Sequence, residues 1–247
     1  MRQQLRLFFT ALAFLTRIPC GALASGESED FARAAKFFPL VGLVVGMLTA
    51  LVYAAAHLAF PQEIAVLAAM AASLWITGAF HEDGLADAAD GLGGGWTKEQ
   101  TLAIMQDSRL GSYGAIALFL MLVAKFQTLS YLDPRQVPLA LIAGHALSRL
   151  APVLLMRAQD YVRATGKGRA FSAKPNASEW LLATVFGLAP LALLPGREAL
   201  AALALLPVWL WFSRLLKRKL GGYTGDCLGA MQQLCELAFY LGLLGLS

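Results

Sequence analysis

From residue 37 onward the chain is a succession of apolar runs separated by short polar stretches. A bilayer's hydrocarbon core is about 30 Å thick and is crossed by about 20 apolar residues in a helix. No water is present there, so each backbone N–H and C=O must be satisfied within the protein. Phe37–Phe60 meets this length, with His57 near its end, and Glu63–Phe80 is a second such run. Tyr113–Leu132 encloses Lys125, Val137–Met156 encloses His145 and Arg149, and Cys227–Leu246 encloses Glu236. Trp180–Leu194 and Ala199–Phe212 are shorter. Ala and Leu dominate and period-two alternation is absent, which selects helices over barrel strands. The pattern predicts an all-α fold, a polytopic transmembrane helical bundle of about seven membrane helices plus an N-terminal helical segment.

Apolar residues are 58% of the 247 and charged residues 15%, against about 45–50% and about 25% in soluble domains. This excludes a disordered chain and leaves too little polar surface for a soluble enzyme. The net charge of +4 is too small and scattered for nucleic-acid binding, but it suits anionic headgroups or a phosphorylated substrate. Cys20, Cys227 and Cys235 are odd in number and lack CxxC spacing, which argues against a disulfide framework or a thiolate metal site. Met1 to Arg6 and the apolar run to Leu15 resemble a signal peptide without a small-x-small cleavage site. The segment is therefore read as retained, spanning the membrane or lying in its interface. Basic residues then set topology. With Phe37–Phe60 running outward, segments 17–36, 81–112, 157–177 and 214–226 face inward and hold fourteen of the twenty Lys and Arg. The short turns opposite hold Arg135 and Arg197. The polar loops are expected on the cytoplasmic face. With no repeat or linker, residues 1–247 read as a single integral-membrane domain.

The densest polar motif is His81-Glu82-Asp83-Gly84-Leu85-Ala86-Asp87-Ala88-Ala89-Asp90-Gly91-Leu92. On a helix, Asp83, Asp87 and Asp90 fall within about 60° of one another. Carboxylates on one face repel unless a cation sits between them. Oxygen-only ligands select a hard metal, Mg²⁺ or Mn²⁺, of the kind that also binds substrate phosphates. The small residues between them leave room for a bulky ligand or a close helix. The plainer alternative is a solvated acidic helix end, but such ends mix in Lys, and none stands here before Lys98.

Asp107-Ser108-Arg109 precedes the third run. Asp107 can complete a metal site and Arg109 can clamp a phosphate bidentately, or the pair only caps a helix start. Gly221-Gly222-Tyr223-Thr224-Gly225-Asp226 is a glycine-rich turn opening the last run. There Gly225 and Asp226 can meet phosphate or substrate, and a plain interhelical turn fits equally. Intramembrane ionisable groups default to function because burying them is costly. That brings Lys125, His145 and Arg149 into the candidate substrate-binding set, beside Glu236. Pairing that only fixes the bundle is the alternative. Arg163, Lys167 and Arg169 in the basic stretch 157–174 grip an anionic substrate or merely anchor the loop.

Three motifs occur in order: His81-x-Asp83-Gly-Leu-Ala-Asp87-x-x-Asp90-Gly, Asp107-Ser108-Arg109-x-Gly111-x-x-Gly114, and Gly221-Gly222-x-Thr224-Gly225-Asp226-x-Leu228-Gly229-Ala230. Together they resemble the cobalamin synthase family, the adenosylcobinamide-GDP ribazoletransferases. Phe14-Leu15-Thr16-Arg17-Ile18-Pro19 and Phe38-Pro39-Leu40-Val41-Gly42 resemble it too, so the likeness covers nearly the whole chain. Glu82 departs from the pattern, standing where an apolar residue is expected. The resemblance implies an enzyme integral to a bacterial or archaeal cytoplasmic membrane, its active site facing the cytoplasm. It implies that α-ribazole, or its 5′-phosphate, attacks the diphosphate of adenosylcobinamide-GDP. The products are adenosylcobalamin, or its 5′-phosphate, and GMP, with Mg²⁺ as cofactor. The implied partners are these small molecules and membrane lipid, and no nucleic acid. Self-association, or association with other cobalamin-assembly enzymes, stays open.

On that chemistry Asp83, Asp87, Asp90 and Asp107, with Glu82 beside them, are expected to hold Mg²⁺. Arg109 and some of Arg163, Lys167 and Arg169 are expected to stabilise charge on departing GMP. Asp90 or Asp107 is expected to accept the attacking hydroxyl's proton, with His81 the rival base. The same-chemistry alternative is a CDP-alcohol phosphotransferase of lipid synthesis, which Asp87-x-x-Asp90-Gly91 fits. Gly94-Gly95 stands where that signature has Ala-Arg. An ion-coupled transporter would instead place its acids at mid-membrane in broken helices.

Overall fold

The computed structural model describes residues 2–25, 28–163 and 173–246. Among them the regular structure is helical, with no strand beyond an isolated bridge between Tyr161 and Tyr223. In chain order the α-helices are α1 (Arg2–Leu15), α2 (Ser28–Ala34), α3 (Phe38–His57), α4 (Gln62–Thr77), α5 (Phe80–Gly94) and α6 (Lys98–Ile104). They continue as α7 (Ser112–Tyr131), α8 (Val137–Ala158), α9 (Ala177–Leu188), α10 (Leu205–Leu220) and α11 (Gly225–Leu244).

Among the described residues five segments are long and apolar enough to cross a bilayer: Asp30–His57, ending in α3; α7; α8; Glu198–Leu220, ending in α10; and α11. α4 and α5 pass the same test only as a pair bent by 85°, and Ala177–Leu193, which contains α9, is a shorter apolar helix. The all-α polytopic bundle expected from the apolar runs is therefore the fold observed, with five spans, six if the bent pair counts as one, and the short α9 segment. The spans number five or six rather than the seven expected, and two of the shifted boundaries have a clear local cause. The run Ala199–Phe212 continues through Leu220, because Leu216 and Leu220 extend the buried stripe of Phe212 at helical spacing while Lys217, Arg218 and Lys219 lie on other faces. The run Glu63–Phe80 stops at Thr77, because Gly78 and Ala79 are left-handed, with φ of 66° and 54°. Ala79 carries a Cβ, so this bend costs about 1–3 kcal/mol that the surrounding packing must offset. α1 has 14 residues, about 1.5 Å of rise each, and is shorter than the bilayer core. It buries Leu7, Ala11, Leu12 and Leu15 and leaves Arg2 and Arg6 exposed.

The loops gather at two ends. At one end, Arg17 N donates to Ile76 O (2.7 Å), Arg33 meets Glu179 (3.8 Å), and Lys219 Nζ donates to Gly95 O (3.4 Å). At the other, Tyr53 OH donates to Pro134 O (3.3 Å), Gln62 Nε2 to Leu132 O (2.8 Å), and Arg197 Nη2 to Leu246 O (3.1 Å). The first end carries the described parts of the basic segments. α3 and α8 form the most extensive helix pair, because Gly42 and Gly46 let the α3 backbone lie against that of His145 and Ile142.

Candidate active site

The acidic motif and the glycine-rich turn meet where α5 crosses α11. A Cβ on Gly84 would stand 3.0 Å from Asp226 O and 3.3 Å from Gly229 Cα, so a larger residue would have to push the two backbones apart by a few tenths of an ångström. The crossing sets Asp226, in the first turn of α11, beside Asp83 and Asp87 on α5. Thr224 begins α11, its hydroxyl accepting from Cys227 N (3.4 Å). Asp83 is exposed and Asp87 half-buried, and neither carboxylate accepts a hydrogen bond from a described residue. Asp226, Asp83 and Asp90 lie within electrostatic reach of Asp87, with Arg163 as the opposing cation. Arg163 Nη2 is 2.7 Å from Asp226 Oδ2. The chain around Arg163 is tied to the α10–α11 turn by Val162 N donating to Tyr223 O and Tyr223 N donating to Asp160 O, both at 3.0 Å. Asp160 in turn pairs with Lys174 at 2.8 Å, whose ammonium holds its carboxyl below the usual range.

The structure commits Asp90 elsewhere. Its two oxygens accept from Gly111 N and Gly114 N, each at 2.8 Å. A carboxylate so placed satisfies donors that a helix start leaves orphaned and suits the positive end of its dipole. A Cβ at position 111 or 114 would collide with it, which accounts for both glycines. Asp107 and Arg109 form an exposed pair, Nη2 to Oδ2 at 2.6 Å. Hydrogen bonds from Arg109 hold the Asp107 carboxyl below its usual range. No contact brings this pair to Asp83, Asp87 or Asp226 among the described residues.

A second group of ionisable side chains lies inside the bundle. Lys125 Nζ donates to Glu236 Oε1 and to Gln233 Oε1, both at 2.8 Å. Gln233 Nε2 reaches Glu82 Oε1 (2.9 Å), and Gln232 Nε2 donates to Glu236 and to Ser148 Oγ (2.9 Å). Tyr240 OH donates to Glu236 Oε1 (3.3 Å). His145 Nδ1 stands 3.6 Å from Glu236 Oε2, and Arg149 Nη1 donates to His145 O at 2.9 Å. This network joins α5, α7, α8 and α11. Glu82 belongs to it, on a different face of α5 from Asp83 and Asp87. His81 is 5% exposed and also points inward. Gln232, Gln233, Ser148 and Tyr240 were not foreseen as partners. Their signal was the pair of glutamines one helical turn before Glu236 in an otherwise apolar run.

Lys167 and Arg169 lie outside the described residues. Among the described residues no three His, Cys, Asp or Glu side chains are gathered tightly enough to hold a metal ion. The set in mutual electrostatic reach, Asp83, Asp87 and Asp226, is all carboxylate oxygen. That donor chemistry fits Mg²⁺, which takes one or two carboxylates and completes its shell with water and substrate phosphates.

Comparison with known proteins matches residues 7–244 to the family described as cobalamin-5-phosphate synthase. The adenosylcobinamide-GDP ribazoletransferase of Shewanella pealeana is 46% identical over 252 residues, covering 100% of this chain and 97% of that protein. The protein of the same name from Ralstonia pickettii is 43% identical over 248 residues, covering 99% and 97%. No solved structure matches the chain.

Proposed function

The chain belongs to the cobalamin-5-phosphate synthase family, and from that premise we propose that the crossing of α5 and α11 is where it joins a ribazole to an activated corrinoid. The protein is a membrane-integral transferase of cobalamin synthesis, an adenosylcobinamide-GDP ribazoletransferase. α-Ribazole or its 5′-phosphate attacks the diphosphate of adenosylcobinamide-GDP, and GMP departs. The observation that carries the site is the pair of uncommitted carboxylates, Asp83 and Asp87, set beside the Asp226–Arg163 ion pair.

Displacement at a diphosphate needs charge neutralisation and positioning more than covalent catalysis. Asp87 and Asp226 would hold Mg²⁺, which when bound neutralises the diphosphate. Arg163 faces the phosphate that leaves with GMP. Asp83, exposed and unpartnered, accepts the proton of the attacking hydroxyl. Asp90 is less suited to that step because both its oxygens are engaged, Asp107 because it is paired with Arg109, and His81 because it is buried. Asp90 instead fixes the start of α7 against α5. The end that carries the carboxylates also carries the basic segments, which supports a site facing the cytoplasm across the cytoplasmic membrane. GMP release by detergent-purified protein, given adenosylcobinamide-GDP and α-ribazole with Mg²⁺ or with EDTA, tests the reading. Product with Mg²⁺ alone is expected. Equal turnover in EDTA would remove the metal, and no turnover from folded protein would remove the reaction.

A further inference from the structure

Beside the α5–α11 crossing lies a cleft that the proposed metal-binding and proton-transfer roles leave unused. Its walls are Phe14 at the end of α1, Phe38 at the start of α3, Phe80 and His81 at the start of α5, and Leu228 on α11. Arg149 and Gly225 also line it. The rings already pack on one another: Phe14 stacks on Phe38 with centroids 6.3 Å apart and meets Phe80 edge-on at 5.1 Å. Phe80 is 39% exposed, so it can swing aside. Arg149 is 2% exposed, and while its Nη1 is committed to His145, its Nε is buried with no partner among the described residues. Leaving a buried donor without an acceptor is unfavourable, so this atom is a donor open to a ligand's acceptor.

We propose that this cleft between α1, α5, α8 and α11 receives the aromatic base of the acceptor riboside, which stacks on Phe14, Phe38 and Phe80 and accepts a hydrogen bond from Arg149. The inference rests on the ribazoletransferase reading. The chemistry selects a flat heterocycle. Aromatic walls favour stacking, and the Arg149 N–H groups not engaged by His145 can donate to a ring nitrogen. A phosphate is a poorer occupant, because the charge of Arg149 is already opposed by Glu236 and Glu82. A lipid chain is poorer still, because it would leave the donor unsatisfied. The cleft ends at Gly225, next to Asp226. A base seated there carries its ribose toward the carboxylates while the corrinoid diphosphate occupies the exposed side.

The test uses full-length protein in detergent with Mg²⁺ and both substrates. Phe80→Ala and Phe38→Ala should each raise the KM for α-ribazole about ten-fold, the scale of losing one base–aromatic stack. The KM for adenosylcobinamide-GDP should stay within two-fold. Phe80 is partly exposed, so its variant folds even if the Phe38 variant does not. Arg149→Lys, which keeps the charge and removes Nε, should lower equilibrium binding of radiolabelled α-ribazole in the absence of donor and metal. KM values that rise equally for both substrates, or acceptor binding unchanged in Phe80→Ala, would overturn the assignment. So would a phospholipid retained on wild-type protein in native mass spectra and lost in Phe80→Ala. Failure of wild-type protein to turn over would instead strike the reaction itself. Normal wild-type turnover with unmoved variants strikes only the cleft.

Discussion

Two groups of ionisable side chains share α5 and α11, and they differ in how far each is paired. Glu82 and Asp83 are neighbours in sequence, yet about 100° apart on the helix. Glu82 turns inward to Gln233, while Asp83 turns outward with no hydrogen-bond partner among the described residues. On α11, Glu236 is bound by Lys125, Gln232 and Tyr240, whereas Asp226 sits at the mouth with Arg163. Inside a bundle a charge persists only when paired and hydrogen-bonded, and most polar atoms of the interior group are, Glu82 Oε2 and Arg149 Nε excepted. At the membrane face water relieves that demand, and carboxylates there can remain uncommitted until a cation or substrate arrives. The residue types are the same, and location decides the role.

The sharpest way to break the contrast is at Asp87. Asp87→Asn should lower kcat about 10²–10³-fold, the scale of removing one charge-stabilising group, with the thermal midpoint unmoved. Full activity would dissolve the face site. The interior should respond in the opposite sense. Glu236→Leu leaves Lys125 buried and unpaired and should cost about 3–5 kcal/mol of stability. Adding Lys125→Met should recover much of that loss, which thermal unfolding of the two variants reads directly. If single and double variants are equally unstable, the pair is not a unit. Arg163→Gln should lower kcat/KM about ten- to hundred-fold through one lost charge-assisted contact while stability holds. A drop in stability instead would move Arg163 into the scaffold.

Asp90→Asn tests the boundary between the groups. It keeps an acceptor but loses the charge at the start of α7, and should cost about 1 kcal/mol, read as a lowered thermal midpoint. A large fall in kcat without that shift would return Asp90 to catalysis. The smallest effect belongs to Arg109→Gln, whose ion pair is exposed. No measurable change in midpoint is expected, and a loss of turnover beyond ten-fold would place Arg109 on the substrate.

Much of this molecule follows from the order of its residues. Apolar runs determine that it is a membrane bundle of helices, since hydrocarbon tolerates no unpaired backbone. The distribution of Lys and Arg foretells which loops share an end, and Arg17 with Ile76 and Lys219 with Gly95 meet as that requires. The Asp83 and Asp87 spacing announces an acidic face, because helical periodicity is local. Which carboxylate is free and which is spent is not local. Asp90 reads like its neighbours until Gly111 and Gly114 are seen to donate to it. Glu82 reads like a fourth acid of the motif until Gln233 appears 2.9 Å away. These partners lie 21 to 151 residues distant along the chain. Only the helix crossings, set by close contacts such as Gly84 on Gly229, bring them together, and a carboxylate's role depends on what occupies its two oxygens.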